Sequence, residues 1–267
     1  MVHPVPSAIN AALVASLALV AGAEAATAGL LAAAMLGFQT SIGALNDIVD
    51  ANDDRLASRD KPIPAGLITM PVATAIVVAG GIAGLTISAG FSLSVLILGA
   101  IGYASGVAYD LVMRRLGLGW LCFAVAFPTL LAWTWLAAAD ALPPGWPFLL
   151  PLAALAGPAI HLANSLVDAD ADERASLTSL ATRLGPAHAR WTLAGLTLTV
   201  YLLAWLMLLS LPAVDPGAML VAVLATVVGA LGVGLTWQRS GRALQAGWMA
   251  QAVGLAAFAV AWIASVM

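Results

Sequence analysis

Residues 25–54 read AATAGLLAAAMLGFQTSIGALNDIVDANDD. No charge interrupts Ala25 to Leu45, a run long enough to cross a hydrocarbon core at about 20 residues per span. The acids begin only where that run ends. Eight further apolar stretches follow the same plan: Ala8 to Gly22, Pro71 to Ala89, Leu93 to Ala108, Leu118 to Ala139, Trp146 to Leu166, Trp191 to Leu211, Ala218 to Trp237 and Leu244 to Val266. Turn residues part them, as at Pro143-Pro144-Gly145 and Pro212 to Gly217. Of the 267 residues, 62% are hydrophobic and 9% charged, against about 25% charged in an ordinary soluble domain, and the mean hydropathy is +1.01. The expectation is an all-α integral membrane protein of about nine transmembrane helices in the lipid bilayer. It forms a single domain over residues 1–267, with short connections that leave no room for a soluble one.

The charges support this count independently. Basic residues fall only after even-numbered stretches: Arg55, Arg59 and Lys61; Arg114 and Arg115; Arg174, Arg183 and Arg190; Arg239 and Arg242. The opposite connections carry only Glu24, Asp140 and Asp215 as charged groups. By the positive-inside rule the even connections face the cytoplasm, with the N-terminus inside. A cell inner membrane is the expected location. Because no Lys or Arg precedes Arg55, the first stretch lacks the basic lead of a signal peptide and is expected to remain as a helix.

Several function classes drop out on composition. Ten basic against thirteen acidic residues give a net charge of -3, leaving no surplus to neutralise nucleic-acid phosphates. The lone Cys122 and the scattered His3, His161 and His188 offer neither an internal disulfide nor zinc-ligand spacing. Trp120, Trp146, Trp191 and Trp237 lie near expected helix ends, where aromatic rings favour the membrane interface.

The acids carry the chemistry. Asn46, Asp50 and Asp54 recur at intervals of four, as do Asn164, Asp168 and Asp172, and a helix puts each row on one face. One such run alone reads as well as a set of helix caps. Two matching runs on the same membrane side do not, since acids at the edge of hydrocarbon are costly and functional by default. Two facing carboxylate rows repel unless cations join them, and hard oxygen donors select Mg²⁺. Because Mg²⁺ takes one or two carboxylates and completes its shell with water and phosphate, the expected ligand is a diphosphate. After the first row, the prolines and glycine of Lys61-Pro62-Ile63-Pro64-Ala65-Gly66 stiffen a loop that places Arg59 and Lys61 over phosphate.

Together these motifs resemble the UbiA superfamily of intramembrane prenyltransferases. Asn46 to Gly66 is similar to that family's first aspartate motif with its trailing R-P-[IL]-P-x-G. Asn164 to Asp172 resembles the second, continued by Leu180 to Gly185, and Tyr109 to Arg114 resembles the tyrosine-to-lysine element between them. The resemblance implies nine helices around a central cavity, with Mg²⁺ bridging the acids to a prenyl diphosphate near the cytoplasmic surface. Asn46, Asp50 and Asp54 would serve one metal, and Asp168 and Asp172 the other, with Asn164 beside them in the substrate site. Arg59, Lys61 and Arg114 would hold the diphosphate, and Tyr109 would act at the reacting centre. Lys61 stands where Arg is usual and Arg114 where Lys is usual, which alters the hydrogen-bonding fork without altering charge.

The implied activity is Mg²⁺-dependent transfer of an isoprenyl group from a prenyl diphosphate to a hydrophobic or aromatic small-molecule acceptor. Phe38, Tyr103, Tyr109, Phe123 and Trp133 are the candidate ring faces for an allylic cation, although all but Tyr109, which lies beside Arg114, read more simply as packing residues. A terpene synthase that cyclises the same cation without an acceptor shares every motif. An alcohol phosphotransferase would carry D-G-x-x-A-R, a string this chain lacks. A non-enzymatic divalent-cation carrier needs polar groups near the membrane midplane, whereas Pro71 to Ala89 and Ala218 to Trp237 hold no charge.

Overall fold

The computed structural model of the chain describes residues 4–56, 61–174, 178–238 and 240–266. Every regular element among them is helical: α1 (Pro4–Val20), α2 (Ala25–Val49), α3 (Ala51–Leu56), α4 (Met70–Ala89), α5 (Leu93–Ala108), a π-helical turn (Tyr109–Met113), α6 (Gly119–Ala139), α7 (Trp146–Arg174), α8 (Leu180–Leu184), α9 (Pro186–Leu209), α10 (Pro216–Leu235) and α11 (Gly241–Val266). Among the described residues eight helices are long and apolar enough to span a membrane. One of these is α5 taken together with its π-helical continuation, Leu93–Met113; the ninth expected span forms α1, which at 17 residues is shorter than all eight.

Starts and stops follow local chemistry. Prolines in the first turn of α4, α9 and α10 sit where no intrahelical donor is needed. Ser92 and Asp215 cap α5 and α10 by accepting the backbone N–H of Val95 (3.2 Å) and Ala218 (3.0 Å). Pro186 therefore starts α9 one turn before the expected Trp191, and α7 runs on past Leu166 through the whole second acidic row.

The chain divides into two compact units, residues 1–112 with 129–142 and residues 113–128 with 143–267. In the first, Val14, Leu31, Phe38, Val95 and Trp133 form the buried core. There α2 and α4 meet backbone to backbone. A Cβ on Gly80 would lie 2.6 Å from the Gly37 carbonyl oxygen, and one on Gly37 would lie 2.9 Å from that of Gly80. Small residues permit this approach, which drives helix association in lipid where no hydrophobic effect does. Gly80→Val is expected to lower the unfolding temperature of the detergent-solubilised protein, because overpacking a fixed backbone contact costs about 1–3 kcal/mol; a wild-type melting curve would refute that reading.

In the second unit, Leu162, Leu166, Ala181, Ala189 and Leu193 are buried across α7, α8 and α9. Gly232 and Gly247 make an equally close contact between α10 and α11. Arg190 donates from Nε to the carbonyl of Thr236 at 2.8 Å, so a cation read from sequence as a topology marker also closes the C-terminal end of α10. Beside it Trp191 and Trp237 pack edge to face at 4.9 Å. Large apolar side chains such as Leu93 (71% exposed), Phe148 and Leu198 (69% each) point outward in these units, as lipid-facing helices require.

Candidate active site

The first acidic row lies at the junction of α2 and α3. Helix α2 ends at Val49 with Asp50 as its C-cap, and α3 begins at Ala51, so the row is not carried by one unbroken helix. Its spacing survives nonetheless. The Asp50 N–H donates to the Asn46 carbonyl at 2.9 Å and the Asp54 N–H to the Asp50 carbonyl at 2.8 Å, which keeps both steps of four helical. Asp50 is buried, and Asp54 is 1% exposed.

Lys61 is held at this junction by the turn that follows it. Ala65 donates to the Lys61 carbonyl, Leu67 and Ile68 donate to that of Pro62, and Gly66 takes the left-handed conformation (φ 72°) that a side chain would oppose. Ile63 is buried with Ala51 of α3 and Ala73 of α4, pinning the turn. The result is that Lys61 Nζ lies 3.0 Å from Asp54 Oδ2 and 3.2 Å from Asp47 Oδ1. Burial alone would push the Lys61 ammonium down. Its hydrogen bonds to Asp54 and Asp47 and the charges of both carboxylates outweigh that and hold it above its ordinary value.

At the end of the fourth expected span, Tyr109 opens the π-helical turn and is half-buried, as is Arg114 just beyond it. Asp110, 1% exposed, accepts a 3.1 Å hydrogen bond from Asn46 Nδ2. Sequence reasoning passed over Asp47 and Asp110. The row of fours excludes Asp47, and Asp110 is a single acid in an apolar stretch. The signal that finds Asp110 is its own cost, a carboxylate placed at the end of a span ahead of Arg114 and Arg115.

The second unit carries the other row. Asn164, Asp168 and Asp172 lie on the uninterrupted α7, Asn164 half-buried and Asp168 exposed. The Asp172 side chain and all of Arg59 lie outside the described residues. One turn before Ser165, His161 is buried, its Nε2 3.4 Å from Ser165 Oγ, and its ring lies 5.0 Å from that of Phe123. Of the candidate ring faces, Phe38, Tyr103 and Trp133 come together in the first unit at centroid distances of 5.3 and 6.2 Å from Phe38. Phe38 and Trp133 are buried core residues there, while Tyr103 hydrogen-bonds Ser41 Oγ at 2.7 Å.

Around the first row the donors are carboxylate and carboxamide oxygens, the hard set that Mg²⁺ prefers. They already gather a cation, since Lys61 lies on two of the carboxylates. Among the described residues no three His, Cys, Asp or Glu side chains form a ready-made cage. Mg²⁺ does not require one, because substrate phosphate and water complete its shell.

A model of the UbiA prenyltransferase family matches residues 7–252. The chain belongs to that family. Structures of UbiA proteins share its fold. A UbiA homologue from Aeropyrum pernix K1 without ligand is 22% identical with a TM-score of 0.77, covering 96% of this chain and 98% of its own. One from Archaeoglobus fulgidus, bound to GPP and Mg²⁺, is 17% identical with a TM-score of 0.71, covering 95% and 96%. A digeranylgeranylglyceryl phosphate synthase is 14% identical with a TM-score of 0.70, covering 98% and 93%. No curated protein matches the sequence. At these identities the likeness to UbiA structures is one of fold; membership rests on the family match, and UbiA proteins are intramembrane prenyltransferases.

Proposed function

We propose that this UbiA-family protein transfers an isoprenyl group from a prenyl diphosphate to a hydrophobic small-molecule acceptor. The observation that carries the reading is the buried junction at which Lys61 lies on Asp47 and Asp54, inside a chain matched by the family. The A. fulgidus homologue bound to GPP and Mg²⁺ supports the donor and the metal. Asn46, Asp50 and Asp54 would hold one Mg²⁺, and Asp168 and Asp172 a second. Bound there, Mg²⁺ would neutralise charge on the departing diphosphate.

The chain's own groups do the rest. Arg59, Lys61, Arg114 and Asn164 bind and orient the diphosphate, stabilising the charge that grows on its leaving oxygen. Tyr109 would offer its ring to the allylic carbon, whose positive charge a π face favours. The apolar helices exclude water that would otherwise quench the cation. By the positive-inside rule the acidic rows would face the cytoplasm, in what is proposed to be a cell inner membrane.

Purified protein, Mg²⁺ and isoprenoid diphosphates of several lengths, incubated with membrane extract and resolved by mass, test the proposal. A prenylated acceptor supports it. Cyclised hydrocarbon or terpene alcohol formed without extract would mark a terpene synthase instead, and divalent-ion flux into reconstituted vesicles with no prenyl product would mark a carrier.

A further inference from the structure

Helices α2 and α5 run in the same direction and touch in register. Phe38 stacks on Tyr103, Ser41 bonds Tyr103, Ile42 fills the space a side chain on Gly106 would need, and Asn46 donates to Asp110. All but the last are apolar or neutral contacts. Where this seam reaches the acidic row, it ends in a charged acceptor. A carboxylate 1% exposed within a span is costly, and a neutral acceptor would serve equally to hold two helices together.

A carboxylate accepts only, so it fixes which end of the Asn46 carboxamide it meets. The Nδ2 is held at Asp110 and the carbonyl oxygen, the end able to ligate a hard cation, is turned away from it. We infer that Asp110 is a positioning residue: it locks Asn46 with its carbonyl oxygen presented to Mg²⁺, as outer partners orient metal ligands elsewhere. This rests on the proposed Mg²⁺–diphosphate reading and assigns to Asp110 a role that touches neither metal nor substrate.

The test uses the full chain in lipid nanodiscs and measures binding of geranyl thiodiphosphate, which is not transferred, in Mg²⁺ by calorimetry, with melting temperature in metal-free buffer alongside. Asp110→Asn leaves the carboxamide orientation unfixed and is expected to weaken Mg²⁺-dependent binding about tenfold or more, within the range for such outer partners. Asn46→Asp sets two carboxylates against each other and is expected to weaken it at least as much. The double exchange, Asn46→Asp with Asp110→Asn, restores one donor, one carboxylate and the original charge. Its binding should return to within about threefold of wild type, since it recreates the outer hydrogen bond.

A merely structural Asp110 would lower the melting temperature of Asp110→Asn while its folded fraction bound the analogue as wild type does, and that result overturns the inference. So does a double exchange no better than Asn46→Asp alone. A wild-type protein that takes up no analogue in Mg²⁺ would overturn the underlying transferase reading as well, a failure distinct from either of these.

Discussion

Asp50→Asn and Asp168→Asn are each expected to reduce Mg²⁺-dependent diphosphate release by about a hundredfold or more, the scale on which removing one preorganised charge partner acts in catalysis. The substitution keeps shape and hydrogen-bonding capacity but removes the negative charge a divalent ion needs. The two positions differ in surroundings: Asp50 is buried at the end of α2, whereas Asp168 is exposed on α7. Asp168→Asn should therefore leave the melting temperature unchanged, and its loss of turnover will read as chemistry alone. Released diphosphate measured on protein that elutes as wild type from size exclusion decides the matter. Full turnover in both variants would remove the acidic rows from the mechanism.

Lys61→Met should destabilise the first unit as well as impair turnover. Asp47 and Asp54 share one ammonium, and withdrawing a partner from a buried pair costs about 3–5 kcal/mol. With the Lys61 side chain 22% exposed, the lower end, about 3 kcal/mol, applies. Lys61→Arg keeps the charge and should retain most of that stability, while its planar fork meets two carboxylates differently. The pH dependence has a definite sign. A lysine whose folded value lies above its ordinary one stabilises the fold fully below the unfolded value of about 10.4 and loses that contribution only as pH rises through the folded value. Wild-type melting temperature should show no Lys61-linked change from pH 6 to 9 and a decline in stronger alkali that Lys61→Met lacks. An identical alkaline decline in Lys61→Met would assign it to other groups.

Much of the architecture was legible before any coordinates. Uncharged runs of about twenty residues have one physical solution in lipid, and the alternation of charge along the chain fixed their number to within the short α1. Junction geometry was not legible. Periodicity places Asn46, Asp50 and Asp54 on one face, yet it cannot reveal that α2 stops at Val49, because the C-cap residue Asp50 stays close to helical conformation. The partner of Lys61 was hidden for a different reason. Its contact with Asp47 depends on Ile63 packing against residues of two helices, a tertiary constraint with no local signature. Asp110 lies inside the Tyr109 to Arg114 element, yet its bond to Asn46 has no local signature, since a hydrogen bond across 64 positions leaves no mark on spacing.

The seat of Ile63 between Ala51 and Ala73 would bear on how tightly the proposed site holds a diphosphate. A segment that freezes only when its guest arrives loses about 1–2 kcal/mol of backbone freedom per residue at that moment. Here the turn behind Lys61 is immobilised while the polypeptide folds, so that the entropic toll precedes the encounter. In the proposed transferase reading, a diphosphate meeting Lys61 would lose little affinity to ordering of this turn, because Ile63 already holds it.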